Sequence, residues 1–187
     1  MVPVVIERDF DRPHSADDLA ALSRSLSWCM ELYRVRSRYR YLATDGTRAA
    51  CVYMAPDFEA MRHLTRNSPY GWPKQLWPAT VHEAPDAPLR PEYALAVVER
   101  SFAQPTAFET IRDAAARSCC FNLHRVRPVR THVAKDGRRM LCVFEAPDVE
   151  AIRYANTQAG LPYDAIWAAK AILPDANLDE TVSRIAV

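Results

Sequence analysis

One phrase of this chain occurs twice. Asp45 to Arg62 reads "DGTRAACVYMAPDFEAMR" and Asp136 to Arg153 reads "DGRRMLCVFEAPDVEAIR", identical at 11 of 18 aligned positions. The same offset of 91 residues pairs "SWCMELYRVR" (27–36) with "SCCFNLHRVR" (118–127). After a one-residue slip "VIERDF" (5–10) pairs with "VVERSF" (97–102), and "GWPKQLW" (71–77) echoes "GLPYDAIW" (160–167). Whatever one copy folds into, the chain must build twice. The pattern divides it into a repeat over 1–84, a Pro-rich connector over 85–91 and a second repeat over 92–187. Each repeat has the size of a small domain.

Each copy reads as β-α-β-β-α-β. The first strand is the β-rich "VPVVIERDF" or "EYALAVVERSF". A helix begins at Ser15, with Asp18 three residues on, and "TAFE" at Thr106 to Glu109 is the better capping box of the two. Leu19, Leu22, Leu26, Cys29 and Met30 recur at three- and four-residue spacing, the period of one apolar helix stripe. Two strands then meet at Asp45-Gly46, and again at Asp136-Gly137, because an Asp-Gly pair tolerates the positive φ of a hairpin turn. Asp57 and Asp148 stand where a second helix needs an N-cap, and Gly160 with Pro162 ends it. A last strand, "YDAIWAAKAIL", closes the copy. This order is ferredoxin-like. Such a sheet carries helices on one face and leaves the other bare. The expected fold is therefore α+β: two tandem ferredoxin-like βαββαβ repeats forming a pseudo-dimeric α+β barrel with a central cavity.

Composition removes several function classes. A net charge of +1 gives no bulk attraction to nucleic acid or to an anionic membrane. No apolar run approaches 18 residues, and "MVPVVIERDF" has no signal-peptide core. Only four glycines occur, none in a phosphate-binding loop. Five cysteines, two of them adjacent at Cys119 and Cys120, fit reduced thiols in a cytoplasmic protein better than a disulfide framework.

The phrase "DGRRMLCVFEAPDVEAIR…AGLPYDAIW", with "VVERSF" upstream, resembles the small nickel-binding or nickel-responsive protein family, formerly catalogued as a domain of unknown function. The resemblance covers both copies and is closer in the second. It implies a ferredoxin-like fold, members that pair as dimers, and Ni2+ as a metal. Where family members often read Ser-Tyr, this chain has Thr131-His132 in one copy and Arg40-Tyr41 in the other.

The residues that could carry chemistry lie mostly where the copies differ. Glu7 and Glu99 repeat on strand one and suit a general base or a metal ligand; the bland alternative is an ion pair with the Arg-rich strand. In "RVRSRYRY", Arg34, Arg36, Arg38 and Arg40 alternate with Tyr39 and Tyr41, setting guanidinium groups on one strand face, toward an anionic ligand or toward solvent. The second copy keeps Arg125 and Arg127. His124 and His132 replace Tyr33 and Tyr41, and their even spacing would let them share a face in one regular strand. Trp72, Trp77 and Trp167 flank the last strands and serve either an aromatic pocket or the core. Cys51 and Cys142 sit mid-strand among apolar neighbours, as small hydrophobes do.

Three functions follow. The first is an enzyme without an organic cofactor, of acid–base lyase, isomerase or cyclase type such as specialised metabolism uses. It would act on a small anionic or aromatic compound between the two sheets. Its candidate catalytic residues are Glu7, Glu99, His124, His132 and Tyr41, and its substrate-binding residues Arg36, Arg38, Arg127, Tyr33 and Trp167. The second is a nickel-binding protein using His124, His132 and Glu99. The third is a non-catalytic binder of a small ligand. In each case the partner is a small molecule, with no nucleic acid or membrane, and the chain is a monomeric pseudo-dimer or a homodimer.

Overall fold

The computed structural model describes residues 1–66, 68, 71–84 and 89–172. Residues 85–88 of the expected connector, and all residues after Ile172, lie outside the described residues. The elements run β1 (Val2–Asp9), α1 (Ala16–Ser25), α2 (Ser27–Leu32), β2 (Arg36–Ala43), β3 (Arg48–Ala55), α3 (Phe58–Arg66) and β4 (Gln75–Glu83), then β5 (Ala94–Ser101), α4 (Phe108–Arg117), α5 (Cys120–Leu123), β6 (Arg127–Ala134), β7 (Arg139–Ala146), α6 (Val149–Gln158) and β8 (Ala165–Ile172). The repeat is thus carried into structure element for element. The fold is α+β, two ferredoxin-like repeats with eight antiparallel strands, of the dimeric α+β-barrel class.

Two compact units divide the described chain: Met1–Pro78 with Ala171 and Ile172, and Ala79–Lys170. In the first, β3 pairs with β1 and β2, and the Gln75–Pro78 half of β4 pairs with β1. Val4, Ile6, Ala49, Cys51, Tyr53 and Leu42 join Leu19, Met61 and Leu64 of α1 and α3 in one core. In the second, β7 pairs with β5 and β6, β8 with β5, and the Ala79–Glu83 half of β4 with β6. Ala96, Val98, Met140, Cys142 and Phe144 pack there on Ile111, Phe121, Ile152 and Ala155 of α4, α5 and α6.

The hairpin turns form where the Asp-Gly pairs stand. Gly46 has φ +73 and Gly137 φ +69, while Asp45 and Asp136 accept the backbone N–H two residues on. At Gly46 a Cβ would also meet the His14 carbonyl oxygen at 2.5 Å, so conformation and space both demand glycine.

Two expectations about helix one are corrected. The single apolar stripe from Leu19 to Met30 is two helices, divided at Leu26 (φ −99, ψ 2). Ser23 and Ser25 donate their hydroxyls to the carbonyls of Leu19 and Leu22, back-bonding that bends and ends helices. The complete capping box lies in the first copy, where Ser15 and Asp18 bond reciprocally. In the second copy Ala107 is the N-cap, and Thr106 is used elsewhere: its N–H donates to Gly137 O and its hydroxyl to Gln104 O. The cap of α6 forms as the sequence implies, Asp148 Oδ1 accepting from Ala151 N at 2.7 Å. Asp148→Ala should therefore cost about 1 kcal/mol, read as a lower urea midpoint at unchanged slope.

Candidate functional site

In an antiparallel ladder, residues directly opposite share a face, so the register alone composes each sheet's surface. On the face away from the helices, the first unit carries the cross-strand rows Gln75–Glu7–Ala50–Tyr41 and Trp77–Val5–Val52–Tyr39. The second carries Ala165–Glu99–Leu141–His132–Val81 and Trp167–Val97–Val143–Arg130–Glu83, followed by Ala169–Leu95–Glu145–Arg127. The two copies match position by position. A carboxylate stands second in the first row of each, with an indole diagonally beside it.

That indole is its hydrogen-bond partner. Trp77 Nε1 donates to Glu7 Oε1 at 2.7 Å, and Trp167 Nε1 to Glu99 Oε1 at 2.8 Å. An N–H of this kind orients the carboxylate that accepts it. The environments differ: Glu7 is 5% exposed, whereas Glu99 is only partly buried. At the fourth place of the row the first unit has Tyr41 and the second His132, both deeply buried. Glu99 and His132 lie two strands apart with Leu141 between them, a backbone separation of about 9–10 Å.

His124 does not join them. It caps α5 rather than entering β6, bonds Gln158 through Nε2 at 2.9 Å and stacks near Tyr154. The following Arg125 takes φ +56, so the chain turns sharply before the strand and the even spacing from His124 to His132 loses its meaning. Tyr33 does the same work in the first copy, capping α2 and stacking on His63. Each repeat thus keeps one Tyr–His pair outside the sheet, with the two residue types exchanged.

The arginine stripe is also broken up. Arg34 precedes β2 with φ +53, and Arg38 is the extra residue of a bulge between Ser37 and Tyr39. The bulge reverses the alternation. Arg36 therefore shares the face of Tyr39 and Tyr41 and is exposed, while Arg40 is buried on the helix side with Nε on Ser37 Oγ. Exposed Arg38 donates to Tyr39 Oη. Arg127 lies on the same sheet face as Glu145, and its Nη2 lies 2.6 Å from Glu145 Oε1.

Glu145 escaped the sequence reading. It is 2% exposed and holds Arg127 and Arg90, yet it falls inside the duplicated phrase, where its identity drew no notice. Its signal was the substitution itself: the matching residue of the first copy is Met54. On the helix side, burial pushes the thiol of Cys51 and the phenol of Tyr53 well above their ordinary ranges, which keeps both neutral.

Among the described residues, no three His, Cys, Asp or Glu side chains converge as a metal-ligand set. The trio of His124, His132 and Glu99 is not brought together, because α5 holds His124 and a strand separates the other two. No helix among the described residues is long and apolar enough to cross a membrane.

Glu99, His132, Glu145 and Trp167 of these rows fall within the segment that a family model matches. Residues 97–168 match the family model described as nickel responsive protein SCO4226-like. No curated protein matches the chain. Among solved structures, chlorite dismutase from Candidatus Nitrospira defluvii in complex with imidazole is similar at TM-score 0.50 and 12% identity, over 99% of this chain and 95% of that one. An anthrone oxidase-like protein is similar at TM-score 0.52 and 9% identity, over 93% and 91%. At such identities the likeness is one of fold, and it places this chain in the barrel class that its duplicated sequence implies.

Proposed function

We propose that the chain is an acid–base enzyme, needing no organic cofactor, that acts on a small anionic or aromatic compound at the second repeat's sheet face. The observation that carries this reading is the pair of matched rows. Both copies keep a carboxylate oriented by an indole, but only the second leaves it accessible and changes the residue across the row from Tyr41 to His132. Glu99 is the base: it takes a proton from carbon beside a carbonyl, the electron pair moves onto the carbonyl oxygen, and return of a proton completes the turnover. Trp167 fixes the carboxylate that does this, and His132 is the further proton-transfer group. Glu7 and Tyr41 hold the same positions in the less accessible copy. Arg127 of the same face is engaged with Glu145. The setting is a cytoplasmic one, with the chain working as monomer or homodimer on a small molecule alone.

Deuterium incorporation tests this directly. Anthrone, an aromatic ketone with an acidic methylene, and phenylpyruvate, an aromatic keto acid, serve as probes in D2O. Exchange above the buffer rate should fall at least about 100-fold in Glu99→Gln, which still accepts the indole N–H, and much less in Glu7→Gln. Equal exchange in Glu99→Gln and the parent, or none above buffer, removes the reading.

A second reading rests on the family match, which describes a nickel responsive protein. Among the described residues, Glu99 and His132 have no converging third ligand. Stoichiometric nickel in the purified protein, lost in His132→Ala, would favour it over the enzyme.

A further inference from the structure

The second unit contains a cavity of about 510 Å³ beneath α4 and α5, lined from the helix side of its sheet by Arg100, Thr131, Cys142 and Phe144 and, at the end of β4, also by Glu83 with its partner Arg130. Phe108, Ile111, Phe121, Phe144 and Leu161 make much of its wall. Its volume is that of an ordinary small-molecule site, about 300–1,000 Å³. Arg100 lines it and Glu99 does not.

The duplication shows how the space arises. The helix-side positions held by Thr131 and Phe144 correspond to Arg40 and Tyr53 in the first copy. There the long guanidinium side chain and the phenol are both buried, against Cys51. Thr131 and Phe144 replace them with a short side chain and a ring without its hydroxyl. The second copy is thereby emptied at the position where the first is filled with polar groups.

What remains is a cation with neutral company. Arg100 is 1% exposed. Its Nη1 donates to the Pro162 carbonyl and its Nη2 to Asn156 Oδ1, both neutral oxygens, and its Nε–H has no acceptor among the described residues. The other arginines of the wall differ, Arg112 lying against Asp113 and Arg130 against Glu83. Burying a guanidinium without a carboxylate is costly, and an anion brought to it in an apolar cavity offsets that cost.

We infer that this cavity binds a small aromatic or aliphatic acid, its body among the phenylalanines and its anionic group at Arg100, with the Thr131 hydroxyl as a second polar contact. The site is independent of the acid–base reading of Glu99. 8-Anilinonaphthalene-1-sulfonate and the uncharged N-phenyl-1-naphthylamine, which share one ring system, are the probes, titrated by fluorescence into the purified protein. The sulfonate should bind saturably and at least tenfold more tightly than the neutral probe. Thr131→Arg with Phe144→Tyr, which restores the first copy's own residues, should weaken the sulfonate at least tenfold while near-UV circular dichroism stays unchanged. Arg100→Gln should erase the preference for the sulfonate. Equal affinity for the two probes, or sulfonate binding unaffected by the double substitution, would overturn the assignment. The double substitution keeps the test decisive if Arg100→Gln fails to fold.

Discussion

Arg127→Met should destabilise the protein by about 2–4 kcal/mol, whereas Glu145→Met should change stability by no more than about 1 kcal/mol. The two residues form one ion pair, but their exposures are far apart: Glu145 is 2% exposed and Arg127 28%. Removing the arginine strands a carboxylate in the interior, with Arg90 Nε at 3.8 Å and the Arg90 backbone N–H at 3.3 Å as its remaining partners. Removing the carboxylate leaves a cation that can still reach water, and installs the residue that the first copy carries there, Met54 opposite an exposed Arg36. The double variant should recover most of the loss caused by Arg127→Met. Urea denaturation of the four proteins measures this as a thermodynamic cycle. Equal single effects that add in the double variant would show that the pair is not coupled.

The duplicated phrase made the scaffold legible. Asp45-Gly46, Asp57, Asp136-Gly137 and Asp148 act locally, each through its own backbone neighbours, so turn and cap chemistry could be read without knowing the fold. The strand faces were only half legible. Glu7 and Glu99 alternate regularly and pair with Trp77 and Trp167, which the sequence had placed beside the last strands without linking them to the carboxylates. The arginine stripe failed because alternation holds only within an unbroken strand. Positive φ at Arg34 and Arg125 delays both strands, and one bulge residue moves Arg40 from the expected face to the other. No composition or spacing rule announces a bulge in "RVRSRYRY". The helix-side cavity was hidden for a different reason. It depends on what Thr131 and Phe144 lack relative to Arg40 and Tyr53, a comparison that becomes meaningful once the register shows those positions on the same face as Arg100.

Ile152→Ala should lower stability by about 2–5 kcal/mol, the range for emptying a fully buried aliphatic position. Ile152 is completely buried in α6, in the second core. Its counterpart Met61 occupies the same place in α3 and is equally buried, so Met61→Ala should cost a similar amount. How the loss appears on heating depends on whether the repeats are separate folding units. A boundary in the connector at 85–91 would allow two transitions, only one of which Ile152→Ala would move. The unit boundaries instead fall inside strands, between Pro78 and Ala79 of β4 and between Lys170 and Ala171 of β8. The two halves of β4 pair with β1 and β6, and Ile172 at the end of β8 packs against the first core. Both strands run through a boundary without a break, so the expected behaviour is cooperative unfolding. Calorimetry should show one transition in the parent protein, displaced downward as a whole by Ile152→Ala and by Met61→Ala. Two separable transitions, each sensitive to one substitution, would show that each repeat folds on its own despite the shared strands.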